Sequence, residues 1–169
     1  MKIIKTNKTS KQQGLTLIEV LVSIIILSTG VLGMMALQTT SMRTNQSSYY
    51  RTQAVILAYD IIDRMKANPN AMSLALYNGL DTDTPPTKPS CMTDGCNAAD
   101  RANLDMAQWA ENFDEDTGIL PMGSGTITLE ADGTYTINIT WQEVDLDDAD
   151  TTQKTLEDKS ISIIARPTP

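Results

Sequence analysis

The chain has 169 residues, no histidine, two cysteines and a formal net charge of −8, which leaves room for one membrane helix and one modest domain. The acidic balance argues against binding of nucleic acid by this surface, because that requires clustered lysine and arginine. The lack of histidine removes the commonest general base and metal ligand, so we expect no enzymatic activity and no cofactor.

The N-terminal region combines a basic head with an apolar segment of membrane length. Four lysines precede Gly14, and residues 15–37 contain one ionisable group, Glu19. As a helix this segment would span about 34 Å, enough to cross a hydrocarbon core of about 30 Å. By the positive-inside rule, the N-terminus stays in the cytoplasm and the residues after Thr39 are exported. We therefore expect a single-pass inner-membrane protein.

The residues around Glu19 form a recognisable motif. Gly14-Leu15-Thr16-Leu17-Ile18-Glu19-Val20 resembles the processing site of type IV prepilins and pseudopilins. The resemblance implies that 1–14 is a leader, that a prepilin peptidase cuts between Gly14 and Leu15, and that the new amine of Leu15 is methylated. It also implies that Glu19 pairs with the N-terminal amine of a neighbouring subunit. The alternative, a plain membrane anchor, leaves unexplained a carboxylate that costs roughly 2.5–3.5 kcal/mol in lipid.

The helical pattern continues beyond the membrane segment. Apolar residues at helical spacing predict an amphipathic helix to about Ala67, and Asn68-Pro69 should end it. Residues 70–97 are rich in proline, glycine and polar residues and are expected to form loops. Asn97 is typical of an N-cap, so a short helix is predicted over 98–113.

The two cysteines lie in the region expected to be exported. Cys91 and Cys96 could form a metal half-site or a small disulfide loop, and the absence of histidine and of a second thiol pair favours the disulfide. The acidic cluster at 145–150 could hold Ca²⁺ or be a solvated loop, and the second interpretation is favoured because an EF-hand pattern is missing. Lys88 and Lys154 are candidates for a Ser–Lys dyad, but neither lies in a supporting motif.

The C-terminal part of the chain has the alternation of β-strands. Apolar and polar residues alternate from Tyr135 to Trp141 and again from Ser160 to Ala165, and a further strand is expected from Thr126. We therefore predict an antiparallel sheet of about three or more strands over 126–166. Packed against the long helix, it would form an α+β domain covering 38–169.

A second resemblance covers most of the chain. It is similar to minor pilins of the PilV type at Asn45-Gln46-Ser47, at 51–54, at 57–68, and at Cys91, Cys96, Asp105, Trp109, 120–121 and 123–125. This likeness implies a type IV pilin-like fold and a structural subunit that primes pilus assembly. Its partners would be other minor pilins, the major pilin and a tip adhesin. A minor pseudopilin of a type II secretion system and an envelope-anchored enzyme or binding protein remain as alternatives.

Overall fold

The computed structural model describes residues 16–91, 95–114, 116–144 and 156–167. The chain divides into two compact units, one ending at Thr44 and the other beginning at Asn45. The regular elements, in chain order, are helices α1 (Leu17–Ala67) and α2 (Pro69–Ser73), strand β1 (Leu80–Asp81), helix α3 (Ala98–Ala110), a 3₁₀ turn (Glu111–Phe113), and strands β2 (Ser124–Leu129), β3 (Tyr135–Val144) and β4 (Leu156–Ala165).

The N-terminal unit contains the first part of α1, whose side chains are exposed along its length. By length and composition this helix could cross a membrane. Most of its hydroxyl side chains bond to the helix backbone. The hydroxyls of Ser28 and Thr29, for example, donate to the Ile25 carbonyl at 2.9 and 3.3 Å. Apart from Glu19, the exposed surface of residues 17–37 is therefore largely apolar, as expected for a segment that packs in lipid or against other helices.

The second unit begins with the last part of α1, which buries one face in the core. The buried positions recur at helical spacing, as predicted, and are Ala54, Leu57, Ala58, Ile61, Ile62 and Met65. The helix ends at Ala67, because Asn68 precedes a proline. Pro69 then begins α2, where its missing N–H and fixed φ are tolerated.

The region 70–97, expected to be rich in loops, also contains short regular structure at two places. The short helix α2 occupies Pro69–Ser73, and strand β1 adds Leu80 and Asp81 to the sheet. Both elements are too short to leave a periodic pattern. Strand β1 forms because it pairs antiparallel with β2, with Leu80 opposite Ile127, a contact that only the tertiary fold supplies.

The sheet is a four-stranded antiparallel meander in the order β1-β2-β3-β4. Strands β3 and β4 pair over ten residues, from Tyr135 opposite Ala165 to Val144 opposite Leu156. The predicted alternation is confirmed: one face is buried against α1 and α3, and the other carries mostly hydroxyl and amide side chains. The buried residues on β2 to β4 are Gly125, Ile127, Tyr135, Ile137, Ile139, Trp141 and Ala165. The sheet has one strand more than the three located from the sequence.

Helix α3 covers the remaining side of the core. Asn97 caps it as predicted, since its side-chain oxygen accepts the Asp100 N–H at 2.8 Å. The α-helix ends at Ala110, and the 3₁₀ turn continues to Phe113. The Trp109 indole N–H donates to the Leu57 carbonyl of α1 at 2.8 Å. The Trp109 and Phe113 rings pack edge to face, with their centroids 4.8 Å apart. Trp109, Phe113 and Trp141 are all buried in the core.

Gly125 lies where the sheet approaches these aromatic rings most closely. A Cβ atom added there would fall 2.5 Å from Trp109 Cη2 and 3.1 Å from Phe113 Cζ. We expect Gly125→Ala to lower the free energy of unfolding by about 1–3 kcal/mol, because neither ring can withdraw from the packed core. Thr128→Ala, at an exposed position of the same strand, is the control. Denaturant unfolding of the detergent-solubilised chain measures both, and equal stabilities would contradict this packing.

Candidate processing and assembly site

Glu19 lies in the first turn of α1, on an exposed and otherwise apolar stretch. Its backbone N–H donates to the Thr16 carbonyl at 3.0 Å, and its carbonyl accepts the Ser23 hydroxyl at 2.8 Å. The helix thus begins three residues after Gly14, and in the sequence Glu19 follows Leu15 by four residues. Gly14 and Leu15 themselves lie outside the described residues, so their cleavage and methylation stay predictions.

The carboxylate of Glu19 has the chemistry of an assembly contact. It carries a charge among side chains such as Leu17, Ile18 and Val22, which are all at least about half exposed. In lipid or in a helix bundle such a charge is stable only when an opposite charge meets it. An N-terminal ammonium of a second subunit would provide that charge.

The two cysteines lie in the second unit, directly ahead of α3. Cys91 and Cys96 are disulfide-bonded, with Cα atoms 5.0 Å apart. Gly95 has a φ of +90°, in the left-handed region that favours glycine, and lets the chain turn back to the second cysteine. Asn97 follows directly and caps α3, so the ring fixes the entry to that helix.

A buried carboxylate in the middle of α3 links that helix to the end of α1 and to the loop between α2 and β1. Asp105 on α3 is almost fully buried, and it accepts the Tyr77 hydroxyl at 2.8 Å and Arg101 Nε at 3.1 Å. Arg64 of α1 approaches it to 4.0 Å and also binds Asp60 and Gln108. Arg64 therefore forms an ion pair within α1, with Nε 3.0 Å from Asp60 Oδ2, and also binds α3.

Among the polar residues of the domain, we expect substitution of Asp105 to lower the free energy of unfolding the most. Asp105→Ala should cost roughly 3 kcal/mol, the low end for breaking a buried ion pair, because the partly exposed arginines regain water while Tyr77 loses its acceptor. Asp60→Ala removes a half-exposed partner of the same Arg64 and should cost less than about 1 kcal/mol. Urea titration of both variants compares them, and similar losses would contradict the special role of Asp105.

Tyr77 makes the same network sensitive to alkaline pH. Its burial, and its hydrogen bond to the Asp105 carboxylate, raise the pKa of the Tyr77 hydroxyl well above its ordinary value of 10.0. This pKa difference adds to the free energy of unfolding. The contribution is fully present below about pH 10 and is lost as the pH rises further, because the tyrosine ionises in the unfolded chain and not in the folded one. The expected loss is up to about 1.4 kcal/mol per pH unit.

Burial also raises the pKa of Tyr135, so the alkaline slope of stability should combine both residues. The free energy of unfolding should therefore fall less steeply with pH above pH 10 in Tyr77→Phe than in the wild type. The difference in slope should be the contribution of one tyrosine, up to about 1.4 kcal/mol per pH unit. Unfolding titrations from pH 8 to pH 11.5 compare the variant with the wild type. Parallel curves in this range would show that Tyr77 ionises equally in both states.

Other candidate sites are not assembled in the described residues. Lys88 forms an exposed ion pair with Glu111 and not with a serine, and Lys154 lies outside the described part. The acidic cluster at 145–150 is also outside it. No group of three or more metal-ligating side chains occurs in the residues that the structure describes. The sequence reasoning missed Tyr77 and Arg101, although the spacing of Arg101 and Asp105 is that of a helical ion pair.

Comparison with protein families agrees with the fold and the motif. The model described as "Type IV pilin Tt1218" matches residues 36–107, and the "Prokaryotic N-terminal methylation motif" matches residues 9–35. The two adjoin and together cover the leader motif, α1, the cysteine loop and most of α3. Searches of curated proteins and of solved structures found no match.

The chain belongs to the type IV pilins, as the long apolar helix, the antiparallel sheet and the two family matches together establish. Membership implies processing by a prepilin peptidase, anchoring in the membrane through the apolar part of α1, and assembly with other pilins.

Proposed function

We propose that this protein is a minor pilin of a type IV pilus and not an enzyme. Its leader is cut between Gly14 and Leu15, and the Leu15 amine is methylated. Before assembly the N-terminus lies in the cytoplasm and the domain in the periplasm. The observation that carries the proposal is Glu19, a carboxylate in the first turn of an exposed apolar helix and part of the motif that begins at Gly14. The resemblance of 57–68 and of the cysteine loop to minor pilins supports the subtype.

In this role the protein joins other minor pilins in a small complex in the inner membrane. The complex primes assembly of the major pilin and is carried to the pilus tip, where a large adhesin binds. The exported domain contributes a contact surface for these partners. The groups required for filament assembly lie in the N-terminal part of the chain, at the start of α1. The acidic charge of the chain supports a protein partner and not a nucleic acid.

A deletion strain tests the assignment. We expect few surface pili without the gene, restored pili with the complemented gene, and the protein in sheared pili at a small fraction of the major pilin, as quantified by mass spectrometry. An amount similar to the major pilin would contradict a minor role. Normal pili combined with a loss of protein secretion would instead identify a pseudopilin of a type II secretion system, the second candidate, which has the same N-terminal motif.

A further inference from the structure

Two charged side chains bracket the apolar part of α1. Glu19 lies in the first turn, Arg43 follows in the same helix, and residues 20–42 between them carry no charge. Both side chains are exposed on the helix surface. At the helical rise their Cα atoms are separated by about 36 Å, compared with about 30 Å for a hydrocarbon core and about 40–45 Å for a whole bilayer. The helix is therefore long enough to hold both charges outside the core at once.

The depth of Glu19 decides which part of α1 lies in the core. If the apolar run 15–37 were centred in the bilayer, Glu19 would lie about 4–5 Å inside the hydrocarbon. A carboxylate is costly there, so the helix should instead rest with Glu19 at one boundary of the core. The next 20 residues or so then cross the core and end near Thr39. Arg43 follows about one turn later, at about 6 Å from the second boundary, which is the level of the lipid headgroups.

The hydroxyl side chains near the second boundary are suited to this depth. The hydroxyls of Thr39 and Thr40 donate to the Met35 and Ala36 carbonyls at 3.0 and 3.2 Å. These bonds satisfy the hydroxyl protons within the helix, so both residues tolerate the edge of the hydrocarbon. Arg43 is the first charged side chain beyond them, and its guanidinium cannot lose its charge by deprotonation. Its charge therefore needs water or an anion at the level of the headgroups.

Within the described residues, Arg43 has no carboxylate partner. Residues 20–59 contain no acidic residue, so no carboxylate lies three or four positions from Arg43 along the helix. By contrast, other cations of the chain form ion pairs, namely Arg64, Lys66, Lys88, Arg101 and Lys159. An otherwise acidic chain thus leaves this arginine for an anion from outside, and the anion present at this depth is the lipid phosphate.

We propose that Arg43 binds the phosphate group of a membrane phospholipid and thereby fixes the depth of α1. The planar guanidinium presents parallel N–H donors that fit two phosphate oxygens, whereas a lysine acts as a point charge. Held at this level, the helix keeps Glu19 at the opposite boundary of the core and out of the hydrocarbon. The assignment of the phosphate to the exported leaflet rests on the orientation given in the proposed function, but the contact does not depend on the pilin being minor.

The depth of α1 is tested with the full chain in two kinds of vesicle that have no net surface charge, phosphatidylcholine and a phosphate-free galactolipid with the same acyl chains. A polarity-sensitive fluorophore attached to Leu37→Cys, an exposed position, reports how deep the end of the apolar run lies. In phosphatidylcholine the phosphates should repel Arg43→Glu, so the fluorophore should move toward water and its emission should shift to longer wavelength. In the galactolipid this shift should vanish. An equal shift in both lipids, or none in either, overturns the proposal.

Arg51→Glu is the matched control for this measurement. Arg51 is also exposed, and it lies eight residues further along α1, about 12 Å beyond Arg43 and out of the headgroup layer. The same change of charge at this position should leave the emission unchanged. A shift as large as that of Arg43→Glu would contradict a contact at one particular depth.

Direct binding separates a lipid site from a site for free phosphate. A fluorescent short-chain phosphatidylcholine is titrated onto the detergent-solubilised chain. Arg43→Gln should weaken binding about ten-fold, and Arg43→Lys should weaken it less. Equal binding by all three chains, or displacement of the lipid by the galactolipid or by inorganic phosphate at similar concentrations, would overturn the assignment to a lipid phosphate. Neither measurement involves cleavage or pili, so a failure here is distinct from a failure of the minor pilin assignment.

Discussion

Gly14→Val is expected to leave full-length protein in the inner membrane, with no processed form. Glycine lacks a side chain, so a peptidase can approach the Gly14–Leu15 peptide bond closely, and a branched valine would block that approach. Immunoblots of membrane fractions distinguish the two lengths. The loss of processing should be nearly complete, because the substitution acts at the bond that is cut.

The control for this variant lies next to it. Gln13→Val places the same side chain one residue earlier and should be processed normally, because the implied motif begins at Gly14. If Gly14→Val were processed as the wild type is, the interpretation of residues 1–14 as a prepilin leader would be wrong.

Glu19→Ala is expected to abolish entry into pili while leaving the exported domain folded. Glu19 lies in the N-terminal unit and not in the unit that contains the core, so the free energy of unfolding of the domain should be nearly unchanged. Residence in lipid should become easier by roughly 2.5–3.5 kcal/mol, since a charge is removed from the apolar segment. What is lost is the partner of the neighbouring N-terminal amine. The protein should therefore accumulate in the membrane and be missing from sheared pili.

Ser23→Ala is the matched control, one turn further along the same helix. Its hydroxyl only donates to the Glu19 carbonyl, so its loss should leave assembly intact. The measurement is an immunoblot of sheared pili against membranes in strains that carry only one variant. Wild-type amounts of Glu19→Ala in pili would refute the pairing and favour a plain membrane anchor.

The main elements of the fold follow from local patterns. The apolar run and the amphipathic stripe predict α1 to Ala67, because burial of one face imposes helical spacing. The alternation from Tyr135 to Trp141 predicts β3 for the same reason at strand spacing. Asn97 predicts the start of α3, because its cap is a contact between near neighbours.

The parts that were missed depend on contacts between distant residues. Strand β1 exists only through its pairing with β2, and α2 is too short for a periodic signal. Asp105 lies on the buried side of α3 because Tyr77 and two arginines reach it from other parts of the chain. A carboxylate in a helical sequence usually indicates an exposed position, so its burial could not be inferred without the fold.

Maturation at the N-terminus is tested most directly by intact mass spectrometry of the protein purified from membranes and from sheared pili. We expect a chain that begins at Leu15, carries one added methyl group on its amine, and contains the Cys91–Cys96 disulfide. An unprocessed N-terminus at Met1, or cleavage after the apolar segment, would contradict it.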